Sequence, residues 1–247
     1  MRVPVRRHPG GDGEDEVPVE EPLEIRVEGE PVAITMRSPG DDLDLVAGFL
    51  FTEGVVDGPD DVRAMAEVAE NTVDVRLAEG VPAARARSAD RALYATSSCG
   101  VCGKASLDRL LRDVAPARAW TPSPEVLGSL PARLRAAQPG FGVTGGVHAA
   151  ALFDARGELL VVREDVGRHN AVDKVLGARF RADALDFDAL GLVVSSRAGF
   201  EIVQKALVAR VPVVAALGAP TSLAVEAARS AGMVLVGWLR GDRFNVY

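Results

Sequence analysis

Cysteine is almost missing from this chain: it occurs twice in 247 residues, as Cys99 and Cys102. So few thiols argue against a disulfide-stapled secreted scaffold. The three histidines, His8, His148 and His169, sit at no finger or ribbon spacing, so a four-ligand structural zinc site finds no support. Positive charge is also short. A formal net charge of -7 argues against a broad nucleic-acid or anionic-membrane surface and leaves room only for a local cluster of arginines on a phosphate. No apolar run approaches the ~20 residues of a membrane span, and the first residues lack the apolar stretch of a signal peptide. The expected compartment is therefore a reducing cytoplasm, with neither nucleic acid nor membrane as partner. Neither G-x-x-x-x-G-K-[ST] nor G-x-G-x-x-G occurs, which removes support for ordinary nucleotide hydrolysis and dinucleotide redox chemistry.

What is present starts with the stretch Thr96-Ser97-Ser98-Cys99-Gly100-Val101-Cys102-Gly103-Lys104, which gathers both cysteines two residues apart. Leu107, Leu110, Leu111 and Val114 follow at helical spacing, so the pair is expected at or just ahead of a helix N-terminus. Such an end favours negative charge, and with Lys104 nearby it would raise the thiolate fraction of a thiol whose free pKa is roughly 8.5. Small neighbours leave the sulfur reachable. Burial of both cysteines as small hydrophobes and a thioredoxin-like dithiol are the competing readings of this stretch.

Along the chain, residues 1 to about 20 carry few large apolar side chains and an acidic run, and are expected to form a disordered tail. Leu23, Ile25 and Val27, then Val32, Ile34 and Met36, alternate about Glu28-Gly29 as a hairpin. Asp41 or Asp42 caps a helix through Phe51, and two short strands fall within 62–78. This predicts a small N-terminal α+β domain and linker over 21–92. A larger domain over 93–247 begins with the cysteine loop. Glu125 to Ala137 reads as a helix, and Phe141 to His148 opens a hairpin of strands 149–153 and 159–162. Arg163 to Asn170 is polar at six of eight positions where a strand gives way to a helix, more than a cap needs, which favours a functional site there over a mere helix cap. From Leu190 strands and helices alternate as β-α-β-α-β with parallel pairing, and ligands in such sheets sit beyond the carboxyl ends of the strands. Those ends carry Ser195-Ser196-Arg197, Gly218-Ala219-Pro220-Thr221-Ser222 and Arg240-Gly241-Asp242-Arg243. Two of them lead into helix starts suited to phosphate. The fold class is α/β (α+β), and the expected ligand bears phosphate.

Four blocks, Thr96–Lys104 (TSSCGVCGK), Thr144–Phe153 (TGGVHAAALF), Arg163–Lys174 (REDVGRHNAVDK) and Gly218–Tyr247, together with Gly29–Gly54, closely resemble the FdhD family of formate dehydrogenase accessory sulfurtransferases. The resemblance implies a cytidine-deaminase-like larger domain, a homodimer and a role in maturing molybdenum enzymes. It implies that sulfur from a cysteine desulfurase is held as a persulfide on Cys99, with Cys102 as its partner. The acceptor is the molybdenum of a bis(molybdopterin guanine dinucleotide) cofactor destined for formate dehydrogenase. Trp238, Leu239, Arg240, Gly241, Asp242 and Arg243 fall on the family's cofactor-binding segment. Arg168 and Arg197 would join Arg240 and Arg243 in holding phosphates, since guanidinium forks match phosphate oxygens, and Ser195, Ser196, Thr221 and Ser222 would add neutral hydrogen bonds. Zinc deaminases use H-x-E followed by P-C-x-x-C. Here Ala149 and Ala150 follow His148, and the cysteines precede it, so deamination and a catalytic zinc are not expected. A thiol-disulfide oxidoreductase and a cofactor-binding chaperone without sulfur chemistry are the alternatives.

Overall fold

The computed structural model describes residues 1–85 and 120–247. The cysteine stretch, Lys104 and the helix expected after it lie outside the described residues.

Strands β1 (Arg2–Arg7) and β2 (Gly11–Glu16) pair antiparallel through a turn that holds a cis His8–Pro9 bond. This corrects the expectation of a disordered tail. The reason is visible in the pairing: Arg2 meets Glu16 and Arg6 meets Asp12 across the ladder, so opposite charges register the two strands where large apolar residues are few.

The first four-stranded sheet has the order β4-β3-β6-β5. It is built from β3 (Glu21–Val27), β4 (Glu30–Arg37), β5 (Val62–Ala69) and β6 (Thr72–Leu77). The β3–β4 turn uses Glu28 and Gly29, both at positive φ, the geometry that matches strand twist in a two-residue hairpin. Leu23, Ile25, Val27, Val73 and Val75 point to one face and are buried beneath helix α1 (Asp42–Thr52).

The second sheet, β12-β11-β10-β9-β7-β8, contains β7 (His148–Phe153), β8 (Leu159–Asp165), β9 (Gly191–Val194), β10 (Val213–Ala216), β11 (Val234–Arg240) and β12 (Arg243–Val246). Strands β9, β10 and β11 are parallel, as their alternation with helices required. The remaining α-helices among the described residues are α2 (Pro124–Ala136), α3 (Pro139–Thr144), α4 (Arg168–Arg181), α5 (Phe200–Val208) and α6 (Ser222–Ser230). Residues 139–144, expected to lead into a hairpin, turn as α3 instead. The Glu164 carboxylate accepts the N–H groups of Gly140 and Phe141 at 2.7 and 2.8 Å, capping a helix start whose partner is remote in sequence.

Side-chain alternation in the second sheet feeds two cores. Ala150, Leu152, Leu192, Val194, Val214, Ala216 and Leu235 join a core that runs on through α4 and α1 to the first sheet. Ala149, Ala151, Val193, Val213, Ala215, Val236 and Leu239 face the other way, onto Leu127, Leu130 and Leu134 of α2. The small N-terminal region is therefore not a body with its own separate core: α1 lies between its sheet and α4. At that crossing the backbones touch. A Cβ on Gly48 would overlap the Asp173 carbonyl oxygen, and one on Gly177 would overlap that of Asp44. Glycine permits the approach because no other residue leaves the space empty.

Polar groups trapped in this junction are paired. Lys174 Nζ lies 2.8 Å from Asp165 Oδ2 and donates to the Ser38 carbonyl at 2.8 Å. The Asp165 carboxylate also accepts the N–H groups of Ser38 and Gly167 and the Asn170 amide. A second knot joins Lys205 to Asp173 at 3.0 Å, to Glu53 at 3.2 Å and to the Thr52 hydroxyl at 2.9 Å. Burial alone would discharge the lysine, but the two carboxylates outweigh it and hold Lys205 above its ordinary value.

Candidate functional site at the strand ends

The carboxyl ends of β9, β10 and β11 lie on one rim of the second sheet. Because β7 runs antiparallel to β9, its first residue, His148, reaches that same rim, opposite Asp165 at the end of β8. The loops after β9 and β10 continue side by side: Gly218 N–H donates to the Ser196 carbonyl at 3.0 Å and Thr221 N–H to that of Ala198 at 3.1 Å. Trp238 N–H donates to the Gly218 carbonyl at 3.0 Å, which attaches the end of β11. The rim is thus a fixed ledge of backbone.

On it stand four arginines from the sequence reading. Arg197, Arg240 and Arg243 are exposed and Arg168 half-buried. Arg163 and Arg181 close on Asp44, but none of these four forms an ion pair with an acidic side chain among the described residues. They do not converge on one point. Neighbouring strands lie about 4.8 Å apart, so the four steps from β11 to β8 spread Arg240 and Arg168 over roughly 20 Å. Such a row suits an extended ligand with anionic groups spaced along it.

Other expected ligand groups are partly engaged in the scaffold. The Ser195 hydroxyl accepts the Ala149 N–H at 2.9 Å, and the buried Ser196 hydroxyl donates to the Arg197 carbonyl at 3.0 Å. The Thr221 hydroxyl accepts the Ala224 N–H at 3.4 Å at the start of α6, and Ser222 beside it is exposed. Leu239 is buried in the α2 core, and the Gly241 carbonyl packs against Gly128 of α2, so these two present no side chain at the rim. Asp242 and Trp238 are exposed. Cys99 and Cys102 lie outside the described residues.

The polar block Arg163–Asn170 divides. Arg163, Glu164, Asp165 and Asn170 hold other elements in place through the contacts above, while Arg168 and His169 lie at the rim at the start of α4. Sequence reading passed over the pairing of His169 with Glu201 in the first turn of α5. Its Nε2 lies 2.8 Å from Glu201 Oε2, although its N–H is not aligned with that oxygen. His169 holds the Glu201 carboxyl below its usual range. Burial, helped by the positive Arg168, pushes His148 down, so its imidazole is neutral at pH 7. The signal for this group was the joint presence of His148 and His169 in two glycine-bearing blocks, one of them closing a strand and the other opening one. Next to them, at the β7–β8 end, a cleft of ≈ 550 Å³ is lined by residues including Pro18, Pro39, Thr144, Val147 and Glu164.

The model of the FdhD/NarQ family matches residues 18–247. The chain belongs to that family. Among curated relatives, the sulfur carrier protein FdhD of Streptomyces avermitilis is 50% identical over 94% of this chain and 87% of its own length. The sulfur carrier protein FdhD of Mycobacterium tuberculosis is 50% identical over 93% and 88%. The crystal structure of a protein from Desulfotalea psychrophila, described as a formate dehydrogenase accessory protein, superposes with a TM-score of 0.78 at 26% identity, covering 100% of this chain and 94% of that one. The family match begins at residue 18, so the β1–β2 hairpin precedes it, and the whole strand-end rim lies within it. No helix among the described residues is long and apolar enough to cross a membrane.

Proposed function

We propose that this chain is a sulfur carrier that takes a sulfur atom onto Cys99 as a persulfide and delivers it to the molybdenum of a bis(molybdopterin guanine dinucleotide) cofactor, its acceptor substrate, for formate dehydrogenase. In the loading step the Cys99 thiolate attacks the outer sulfur of a cysteine desulfurase persulfide. A new S–S bond forms on Cys99, the donor's S–S bond breaks, and the donor thiolate leaves with the bonding pair. In delivery the Cys102 thiolate attacks the inner sulfur of that persulfide. The terminal sulfur departs as sulfide toward the metal, reduced by the same two electrons that oxidise the two cysteines to a disulfide. The donor protein, a homodimeric state, a cytoplasmic setting and the deaminase-like kinship of the larger domain belong to this same reading.

The observation that carries the reading is the row of four arginines on the strand-end rim, in a chain whose relatives are sulfur carrier proteins. A cofactor with two guanine dinucleotide arms presents several phosphates over a distance of that order, and guanidinium groups that form no ion pair among the described residues suit such phosphates. The test is activation of formate dehydrogenase in a reconstituted mixture of desulfurase, cysteine, cofactor and this chain. Cys99→Ala should abolish both sulfur loading and activation. Arg243→Ala should load sulfur normally and activate poorly. Full activation by the Cys99→Ala/Cys102→Ala double variant would overturn the proposal in favour of a chaperone without sulfur chemistry.

A further inference from the structure

We infer that His148 and Arg168 are the two sides of an oxyanion subsite at the β7–β8 end of the rim, filled by a phosphate-type group together with one proton that settles on His148. The subsite belongs to the docking reading above and depends on it. It lies apart from the last strands of the chain, because β7 is three strand steps from β11, about 14 Å. A ladder pair and one tight turn bring the two side chains near each other. His148 is the partner of Asp165 across β7–β8, and Val166 and Gly167 then carry the chain into Arg168, the first residue of α4. Both side chains are half-buried. The imidazole makes no hydrogen bond among the described residues, and burial and the charge of Arg168 both disfavour its protonated form.

The carboxylates around this pair are committed elsewhere. Asp165, wholly buried, takes Lys174, the N–H groups of Ser38 and Gly167 and the Asn170 amide, so it cannot turn to either side chain. Glu201, in the first turn of α5, lies against His169. On the other flank of β7 the loop after β9 brings Ser195, which carries no charge and whose hydroxyl is held by the Ala149 N–H. Buried cations elsewhere among the described residues have their anions: Lys174 has Asp165, Lys205 has Asp173 and Glu53, and Arg37 has Asp42. No acidic side chain among the described residues serves the half-buried Arg168 and His148 in that way. One external anion would serve both, at strand ends of the kind that present ligand groups. A guanidinium fork matches phosphate oxygens, and a protonated imidazole adds a second charged donor. Negative charge set between them offsets the repulsion from Arg168, so His148 takes up a proton as the anion binds. The linkage is reciprocal: protonation of His148 tightens the anion by the same factor.

The experiment follows the imidazole resonances of the full chain by proton NMR from about pH 5 to 8, with and without sulfate at constant ionic strength. Sulfate is a tetrahedral oxyanion that does not itself titrate in this range. The chain has three histidines, His8, His148 and His169, and His148→Gln identifies the resonance of His148. Sulfate should raise the His148 midpoint by about one to two pH units, and sulfate affinity should rise by the matching factor, roughly 10- to 100-fold, from the alkaline to the acid limit. The exposed His8 should not move. His148→Gln should keep the parent's alkaline affinity for sulfate and lose its dependence on pH. Arg168→Gln should raise the His148 midpoint in the absence of sulfate and abolish the shift that sulfate causes. Sulfate binding that leaves the His148 midpoint in place, or that moves His8 as far, overturns the subsite and leaves the sulfur-carrier proposal standing. Failure of the parent chain to bind either sulfate or pyrophosphate overturns the docking reading of the rim as well.

Discussion

Two groups of charged residues, drawn in part from the same dozen positions, behave differently in this fold. At the junction between α1 and α4, Asp165, Lys174, Asp173, Lys205 and Asp44 are buried and each has an opposite charge within 3.2 Å. At the strand-end rim, Arg168, Arg197, Arg240 and Arg243 stand on a rigid ledge without such partners among the described residues. A charge removed from water must be matched or the fold loses several kcal/mol, whereas a charge left in water costs nothing and remains available to a ligand. The contrast separates architecture from function inside one motif: of the block from Arg163 to Lys174, Asp165, Asn170 and Lys174 join the two halves of the molecule, and Arg168 faces outward.

Substitution tests this division most strongly at the junction. Lys174→Ala leaves the Asp165 carboxylate buried without its cation and should cost about 3–5 kcal/mol in denaturant unfolding. A loss below 1 kcal/mol would mean that water reaches the pair. Gly177→Ala, which sets a methyl group against the Asp44 carbonyl, should cost about 1–3 kcal/mol and lower the thermal midpoint without altering ligand binding at the rim.

His148 lies between the two groups and should respond to pH. Its value is lowered in the fold from the ordinary 6.5, so the neutral form is the one the fold favours. The stability it contributes is present above pH 6.5 and is lost as pH falls through its lowered folded value, with a slope no steeper than about 1.4 kcal/mol per pH unit. His148→Gln should flatten that part of the stability profile; an unchanged profile would show that the imidazole is not desolvated. At the rim the stability effects should be smallest. Arg240→Ala and Arg243→Ala should each change unfolding free energy by no more than about 0.5 kcal/mol while weakening pyrophosphate binding. A large stability loss would place these arginines with the architecture instead.

The parallel β9–β10–β11 order and the Glu28-Gly29 hairpin were legible because they depend on local periodicity and turn chemistry. The rim was legible for the same reason, since strand ends in such a sheet are set by the alternation of elements. What escaped sequence reading depended on contacts between remote residues. The β1–β2 hairpin is registered by ion pairs rather than by apolar alternation. The α3 turn is capped by Glu164, more than twenty positions away, and the strand β12 is too short to show a pattern. The excess of polar residues at Arg163–Asn170 was seen, but only the folded chain separates Asp165, wholly buried, from Arg168 at the surface.

The most direct measurement is peptide-level mass spectrometry of the full chain after incubation with a cysteine desulfurase and cysteine, with and without reductant. The expected result is one added sulfur atom on the peptide that contains Cys99, removed by reductant and absent from Cys99→Ser. No added sulfur, or sulfur retained by Cys99→Ser at Cys102, would contradict the assignment of Cys99 as the carrier.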